Sequence, residues 1–306
     1  MPSGDPQVAP TPSGDPQVAP TVLRYLYPMR FVKMHGTGND YVYVDAFRET
    51  VENPAALARK VSHRHFGVGG DGLILIKPHP GADGEMDMYN ADGSGSEMCG
   101  NGIRCVAKYL HDTYARGKDE LRIMTGAGWR TARIVARDAA GDATSVQVDM
   151  GAPVFEGLKI PTTFDGPEVL RKQIGVAGRV LEFSSVSMGN PHCVIYVDDV
   201  RNFPVTEIGP LIENHALFPR RVNVEFVQIL ARDEVIQRTW ERGSGETWAC
   251  GTGACAVAAI GHRLGLTGTR LTIHLTGGDL LLEYDGAGSV MMTGNAVEVF
   301  TGEIPA

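Results

Sequence analysis

The chain predicts a mixed α/β fold of the α+β type: two pseudo-symmetric halves, each a central helix wrapped by mostly antiparallel β-strands. Three observations carry this. First, Cys99-Gly100-Asn101-Gly102 precedes a helix-like run from Ile103 to Arg116. Cys250-Gly251-Thr252-Gly253 precedes a second run through Ala256, Val257, Ala259, Ile260 and Leu264, so one unit occurs twice. Second, short apolar and β-branched runs separated by Gly, Pro, Asn and Asp surround both units, as strands joined by turns do. Third, strands and helices do not alternate regularly, which a parallel doubly wound sheet requires.

The composition sets the bounds. A chain of 306 residues favours two domains at roughly 100–200 residues each. A hydrophobic content of 43% supports packed cores, and 38 glycines suit tight turns and close backbone approach to a ligand. A formal charge of −8 leaves no basic footprint for nucleic acid, and no apolar run nears the ~18 residues of a membrane span. The five cysteines, Cys99, Cys105, Cys193, Cys250 and Cys255, form no C-x-x-C pair. No basic stretch followed by an apolar core precedes them. The expectation is a cytoplasmic protein with working or buried thiols, without a disulfide framework or a structural zinc site.

Residues 2–11 and 12–21 are the same proline-rich decapeptide, so residues 1–28 are expected as a disordered tail and Met29 as a candidate alternative start. Residues 29–150 would form the first half, joined by a last strand over about 296–306, and residues 151–295 the second. In the first half, strands are expected at Phe31–Met34 and Tyr41–Asp45 around the turn His35-Gly36-Thr37-Gly38-Asn39-Asp40. A helix is expected over Pro54–His65, with proline suited to its first turn. Strands follow at Leu73–Ile76, Met86–Tyr89, Leu121–Met124, Thr131–Val135 and Ser145–Asp149. Gly67-Val68-Gly69-Gly70-Asp71-Gly72 precedes a strand, so it is not a dinucleotide fingerprint, whose glycines follow one. Gly151-Ala152-Pro153 marks the boundary. Beyond it, strands are expected at Val180–Val186, Cys193–Val197, Val222–Leu230, Val235–Trp240, Leu271–Leu275, Leu280–Tyr284 and Ser289–Thr293, with a helix over Ile208–Phe218.

The chemistry centres on the two tetrads. A helix N-terminus carries unpaired N–H groups and about half a positive charge. A thiol there is expected to have a lowered pKa, and the amides of Gly100-Asn101 and Gly251-Thr252 suit a carboxylate. With both mouths on one cavity, an α-carbon would lie between two sulfurs. One thiolate would take its proton while the opposite thiol supplied another, inverting the centre. Cys105 and Cys255 lie inside the helices and read as small core hydrophobes, as does Cys193.

These blocks resemble the diaminopimelate epimerase family. N-A-D-G-S-x-x-E-M-C-G-N-G-x-R and G-E-T-x-A-C-G-T-G-A are similar to its two cysteine signatures. The likeness continues through H-G-T-G-N-D, G-V-G-x-D-G-L, G-N-P-H, R-V-N-V-E-F and W-E-R-G, from about Met29 onward. It implies cofactor-independent conversion of LL- to meso-diaminopimelate, in lysine and peptidoglycan precursor synthesis, by a homodimer. Cys99 and Cys250 would be the acid–base pair, supported by His192 and Glu241. Asn39 would position the reacting end, Asn90, Asn190, Asn223 and Arg242 would grip the distal one, and Glu241 can accept from an ammonium. Gly72 departs from relatives that carry a polar side chain there. Alternatives remain at this stage: a proline-type racemase, whose first loop carries histidine where Asn101 stands; an isomerase of the same fold that needs fewer thiols; and an amino-acid-binding module. Facing thiols would also make the site sensitive to oxidation.

Overall fold

The computed structural model describes residues 28–305. The duplicated decapeptide lies outside them. The first half runs β1 (Met29–Gly36), β2 (Asn39–Asp45), α1 (Pro54–Ser62), β3 (Gly72–Lys77), β4 (Gly84–Asn90), β5 (Gly95–Ser96), α2 (Gly100–Thr113), β6 (Glu120–Thr125), β7 (Gly128–Arg137) and β8 (Ala143–Asp149). After β9 (Val169–Val176) the same order returns: β10 (Arg179–Ser187), β11 (Pro191–Tyr196), α3 (Val205–Glu213), β12 (Asn223–Ala231), β13 (Glu234–Glu241), β14 (Gly245–Thr247), α4 (Gly251–Arg263), β15 (Arg270–Leu275), β16 (Gly278–Glu283) and β17 (Met291–Asn295). The chain ends in β18 (Val297–Ile304).

The pairing repeats with the order. Parallel pairs bridged by a small helix occur at β2–β3 and β11–β12. Parallel pairs bridged by a central helix occur at β4–β6 and β13–β15. The other ladders are antiparallel, and β18 flanks β1 as β9 flanks β10. An antiparallel ladder between β8 and β17 joins the two repeats. Mixed pairing of this kind follows from the sequence: tight turns allow hairpins, and only the segments with an intervening helix cross over to pair in parallel.

Burial explains the two central helices. Almost all of α2 and α4 is buried, and Ile103, Val106 and Leu110 of the first share one core with Ala254, Val257 and Ile260 of the second. Each fully buried Leu or Ile contributes about 1.5–3 kcal/mol, so this shared core holds the helices in place. Among the described residues no helix is long and apolar enough to cross a membrane.

Several expected boundaries move, and three strands, β5, β9 and β14, have no counterpart in the sequence reading. The first helix stops at Ser62 because His63 is extended and its ring Nδ1 accepts from the amides of His65 and Phe66, both at 3.1 Å. α2 starts at Gly100, with Cys99 as its N-cap, and ends at Thr113. α3 is Val205–Glu213 because Asn214 leaves the helix and folds its Nδ2 back to the Pro210 carbonyl at 2.9 Å. The strand expected over Ser289–Thr293 runs from Met291 to Asn295. β9 carries buried positions at its ends and charged ones between, a pattern too irregular to read as alternation.

Candidate active site

Each central helix begins at a cysteine. Cys99 is extended and its Sγ accepts from the Gly102 amide at 3.3 Å, while Cys250 is extended and its Sγ accepts from the Gly253 amide at 3.4 Å. Both thiols thus occupy the position a Ser or Asp usually fills at a helix start. Glycine follows because the two mouths abut. A Cβ on Gly251 would stand 3.5 Å from Gly100 Cα and 3.2 Å from Met292 Sδ. Asn101 ties the first mouth to the second loop through Nδ2 and the Ala249 carbonyl, at 3.3 Å.

The mouths open on one cleft of about 1460 Å³. Cys99, Gly100, Asn101, Cys250, Gly251 and Thr252 line it, together with Asn39, Asn90, Asn190, Asn223, Glu241 and Arg242. His192 does not line it. It is fully buried behind the cleft, with Nδ1 2.8 Å from Glu225 Oε1 and Nε2 2.8 Å from Asn190 Oδ1. Asn190 then donates to Thr252 Oγ1 at 3.3 Å, which lies 3.6 Å from Cys250 Sγ. His192 therefore reaches the second thiol through two side chains. Glu241 lies beside Cys250, and the Thr247 hydroxyl donates to its carboxylate.

The polar rim is held by its own backbone. Asn223 donates to the Pro191 carbonyl at 2.8 Å and accepts from the Arg242 amide at 3.0 Å. One of its two Nδ2 hydrogens remains beyond the Pro191 bond. Asn90 donates to Ser94 Oγ at 2.9 Å. Arg242 is exposed, with one guanidinium nitrogen on the Arg220 carbonyl at 3.2 Å. Gly72 has no room for a side chain: a Cβ would stand 2.2 Å from the Tyr89 carbonyl oxygen.

The electrostatics reverse one expectation. Both thiols are pushed above the ordinary cysteine range. Burial is the main cause for Cys99, where the Gly102 and Asn101 amides pull the other way and Glu241 adds to the rise. Cys250 rises further through burial, Glu241 and Glu225. The partial charge at a helix start is worth about 0.3–1 kcal/mol, which desolvation and two carboxylates exceed. Burial likewise raises Glu241. The core thiols stay neutral: Cys105 is pushed up to about 11, and Cys193 and Cys255 also rise, all by burial.

Three residues escaped the sequence reading. Arg104 is fully buried and donates to the Gly100 carbonyl, Asn101 Oδ1 and Thr37 Oγ1 at 3.1, 2.9 and 2.7 Å, which fixes the first mouth. An arginine set between Ile103 and the apolar Cys105-Val106-Ala107 was its signal. Glu225, fully buried against His192, stood in plain view inside an apolar strand. Asp71 was hidden in a glycine run.

A sequence profile for the family described as diaminopimelate epimerase matches residues 31–156 and 184–299. The chain belongs to the diaminopimelate epimerase family. The diaminopimelate epimerase of Leptospira biflexa is 50% identical over 277 residues, covering 90% of this chain and 99% of that relative. The same-named protein of Acetivibrio thermocellus is 49% identical over 277 residues, covering 90% and 98%. That of Methanococcus maripaludis is 46% identical over 277 residues, covering 90% and 99%. Among solved structures, the fold is shared with a hydroxyproline epimerase from Agrobacterium vitis at TM-score 0.64 and 17% identity, covering 92% of this chain and 94% of that one. A PhzF-family phenazine biosynthesis protein from Bacillus anthracis also matches at 0.64 and 17%, covering 91% and 99%. At 17% identity these two likenesses show a shared fold alone.

Proposed function

We propose that this chain interconverts LL- and meso-2,6-diaminopimelate by two-base proton transfer between Cys99 and Cys250, without a cofactor. The observation that carries the reading is the abutment of two cysteine-capped helix mouths on one cleft. The substrate's α-carboxylate would bridge the first-turn amides at Gly100-Asn101 and Gly251-Thr252, where helix N-termini favour an anion. One sulfur, as thiolate, takes the α-proton and becomes a thiol. The electron pair spreads onto the carboxylate, where the amides stabilise it. The opposite thiol gives its proton to the other face and is left as thiolate. The enzyme returns with its protonation reversed and must exchange one proton with solvent.

Glu241 suits that exchange, because it lies against Cys250 and both groups have been raised. His192 acts at one remove, orienting Thr252 through Asn190. Asn39 accepts from Cys99 Sγ at 3.3 Å and would face the reacting end. Asn90, Asn190, Asn223 and Arg242 would bind the distal amino-acid group, Arg242 pairing with its carboxylate, while Glu241, beside Cys250, would accept from the ammonium at the reacting end. A proline-type substrate lacks that group and leaves this rim without a partner.

The same reading places the enzyme in lysine and peptidoglycan precursor synthesis, in the cytoplasm. All five cysteines are unbridged, which suits a reducing compartment. We also propose two domains, residues 29–150 with the last strand and residues 151–295, and a homodimer, which light scattering tests. The activity is tested by proton NMR of LL-diaminopimelate with the reduced protein in D2O. Loss of the α-proton signal with appearance of the meso isomer is the expected result. Absence of exchange with confirmed free thiols would overturn the reading.

A further inference from the structure

Asp71 sits at the cleft wall, where no part of the reaction described above uses it. Its Oδ2 accepts from Asn39 Nδ2 at 2.6 Å and from the Asp40 amide at 3.1 Å. Its Oδ1 accepts from Arg64 at 2.9 Å, and the same guanidinium nitrogen reaches Asp40 Oδ1 at 2.8 Å. Lys33 holds the far side of Asp40. The Asp71 backbone is fixed as well, its amide donating to the Asp40 carbonyl at 2.7 Å and its carbonyl accepting from the Ala91 amide at 3.1 Å. This carboxylate is therefore clamped from several directions.

The orientation of Asn39 follows. An amide side chain has one donor end and one acceptor end, whereas an ionised carboxylate only accepts. Asp71 thus requires the NH2 end of Asn39, and the carbonyl end must turn the other way. There Oδ1 stands 3.3 Å from Cys99 Sγ and 3.4 Å from Asn101 Nδ2. An acceptor at that distance receives the thiol proton and opposes a thiolate.

We infer that Asp71 is a positioning residue for the reaction: by fixing the amide of Asn39 it holds the Cys99 thiol proton in place and sets how readily that sulfur becomes a thiolate. The inference rests on the two-thiol reading for its meaning in catalysis, but its effect on Cys99 is measurable without turnover. Facing Cys99 are Tyr41, Asn39, the Gly102 and Asn101 amides and, across the cleft, Glu241. Facing Asp71 are Asp40, Arg64 and Asn39, with Lys33 behind Asp40. Asp71→Asn replaces the obligate acceptor with a group that also donates. Asn39 is then free to turn its NH2 towards the sulfur, which favours thiolate.

The test is the rate of iodoacetamide alkylation at Cys99 across pH 6–10, read by mass spectrometry of the Cys99 peptide, in the full chain. Asp71→Asn is expected to raise the rate at neutral pH by roughly 3- to 10-fold. Removing a negative charge would itself favour thiolate, so Asp71→Asn is repeated in an Asn39→Ala background, where it is expected to change the rate by less than about 2-fold. Asn39→Ala alone removes the carbonyl from the sulfur and should also accelerate alkylation, which serves if Asp71→Asn does not fold. An unchanged rate in both single variants, or an equal acceleration by Asp71→Asn with and without Asn39, overturns the inference. Wild-type epimerisation, measured separately, judges the functional reading, so failure of one is distinguishable from failure of the other.

Discussion

Replacing each catalytic candidate by serine separates its two jobs. Cys99 and Cys250 both cap helices and both, in the proposed reaction, move protons. Serine is among the favoured N-cap residues, so its oxygen replaces sulfur as acceptor for the Gly102 or Gly253 amide. Alanine removes that acceptor and costs about 1 kcal/mol, or about 2 °C in Tm for a protein of this size. Serine should therefore melt within about 1 °C of the wild type, and alanine below it. Activity divides differently. A serine hydroxyl does not ionise near neutrality, and loss of a general acid–base group costs about 10²–10⁴-fold, so both variants lose inversion. One thiol remains in each, and it still addresses one face of the substrate. Each serine variant should slowly exchange the α-proton of one stereoisomer with D2O without inverting it, and the two variants should prefer opposite stereoisomers. The assay is NMR exchange of LL- and meso-diaminopimelate beside thermal unfolding by circular dichroism. Inversion within about 10-fold of wild type in either variant would refute the two-base scheme. So would the same stereoisomer preference in both variants, because the sulfurs would then not stand on opposite faces.

The remaining predictions probe the surroundings. Cys105→Ala and Cys255→Ala remove fully buried thiols that do not line the cleft; each should cost about 1 kcal/mol in unfolding free energy and leave turnover within about 2-fold, whereas a collapse of turnover in a stable variant would give these thiols a chemical role. Gly253→Ala would place a Cβ 2.6 Å from Glu225 Oε1, the atom paired with His192, so we expect about 1–3 kcal/mol of destabilisation and a fall in kcat. Retained stability and activity would show that the buried carboxylate moves freely. The pH profile of kcat/KM should be bell-shaped, rising as one thiol ionises and falling as the second does. Because burial raises Cys99 and Cys250 in the free enzyme, both limbs should lie on the alkaline side of an ordinary thiol, above about 8.5. An acidic limb centred below about 7 would mean that the helix starts outweigh burial after all.

The tetrads were legible because glycine beside cysteine before an apolar run is unusual and recurs. Their place in the helix was not. Glycine is a poor helix former, so the tetrads read as loops, with the first helical residue at Ile103. The structure puts those glycines inside the first turn, where the two mouths abut and a larger residue at Gly100 or Gly251 would press on Met292. Packing across the molecule, absent from any local window, overrides the propensity. The same holds for the thiols. A helix start read in isolation lowers a pKa, but the sequence does not display that Glu241 and Glu225, both near Cys250, come from neighbouring strands of one sheet. The residues that tune the site also act over long separations. Asn39 and Asp71 are 32 residues apart, and His192 and Glu225 are 33. Each pair is brought together by one of the two parallel ladders that need a crossover helix, β2 with β3 and β11 with β12. Asp71 stands one residue before β3, and Asn39 opens β2. His192 and Asn223 are direct partners in the other ladder, with Glu225 two residues on and so on the same face. The duplicated architecture thus supplies each thiol with a carboxylate from the corresponding crossover ladder of its own half, though at a different register, acting on Cys99 through Asn39 and on Cys250 through His192, Asn190 and Thr252. A substitution at either carboxylate should therefore affect the thiol of its own half first, and the separately alkylated Cys99 and Cys250 peptides measure that.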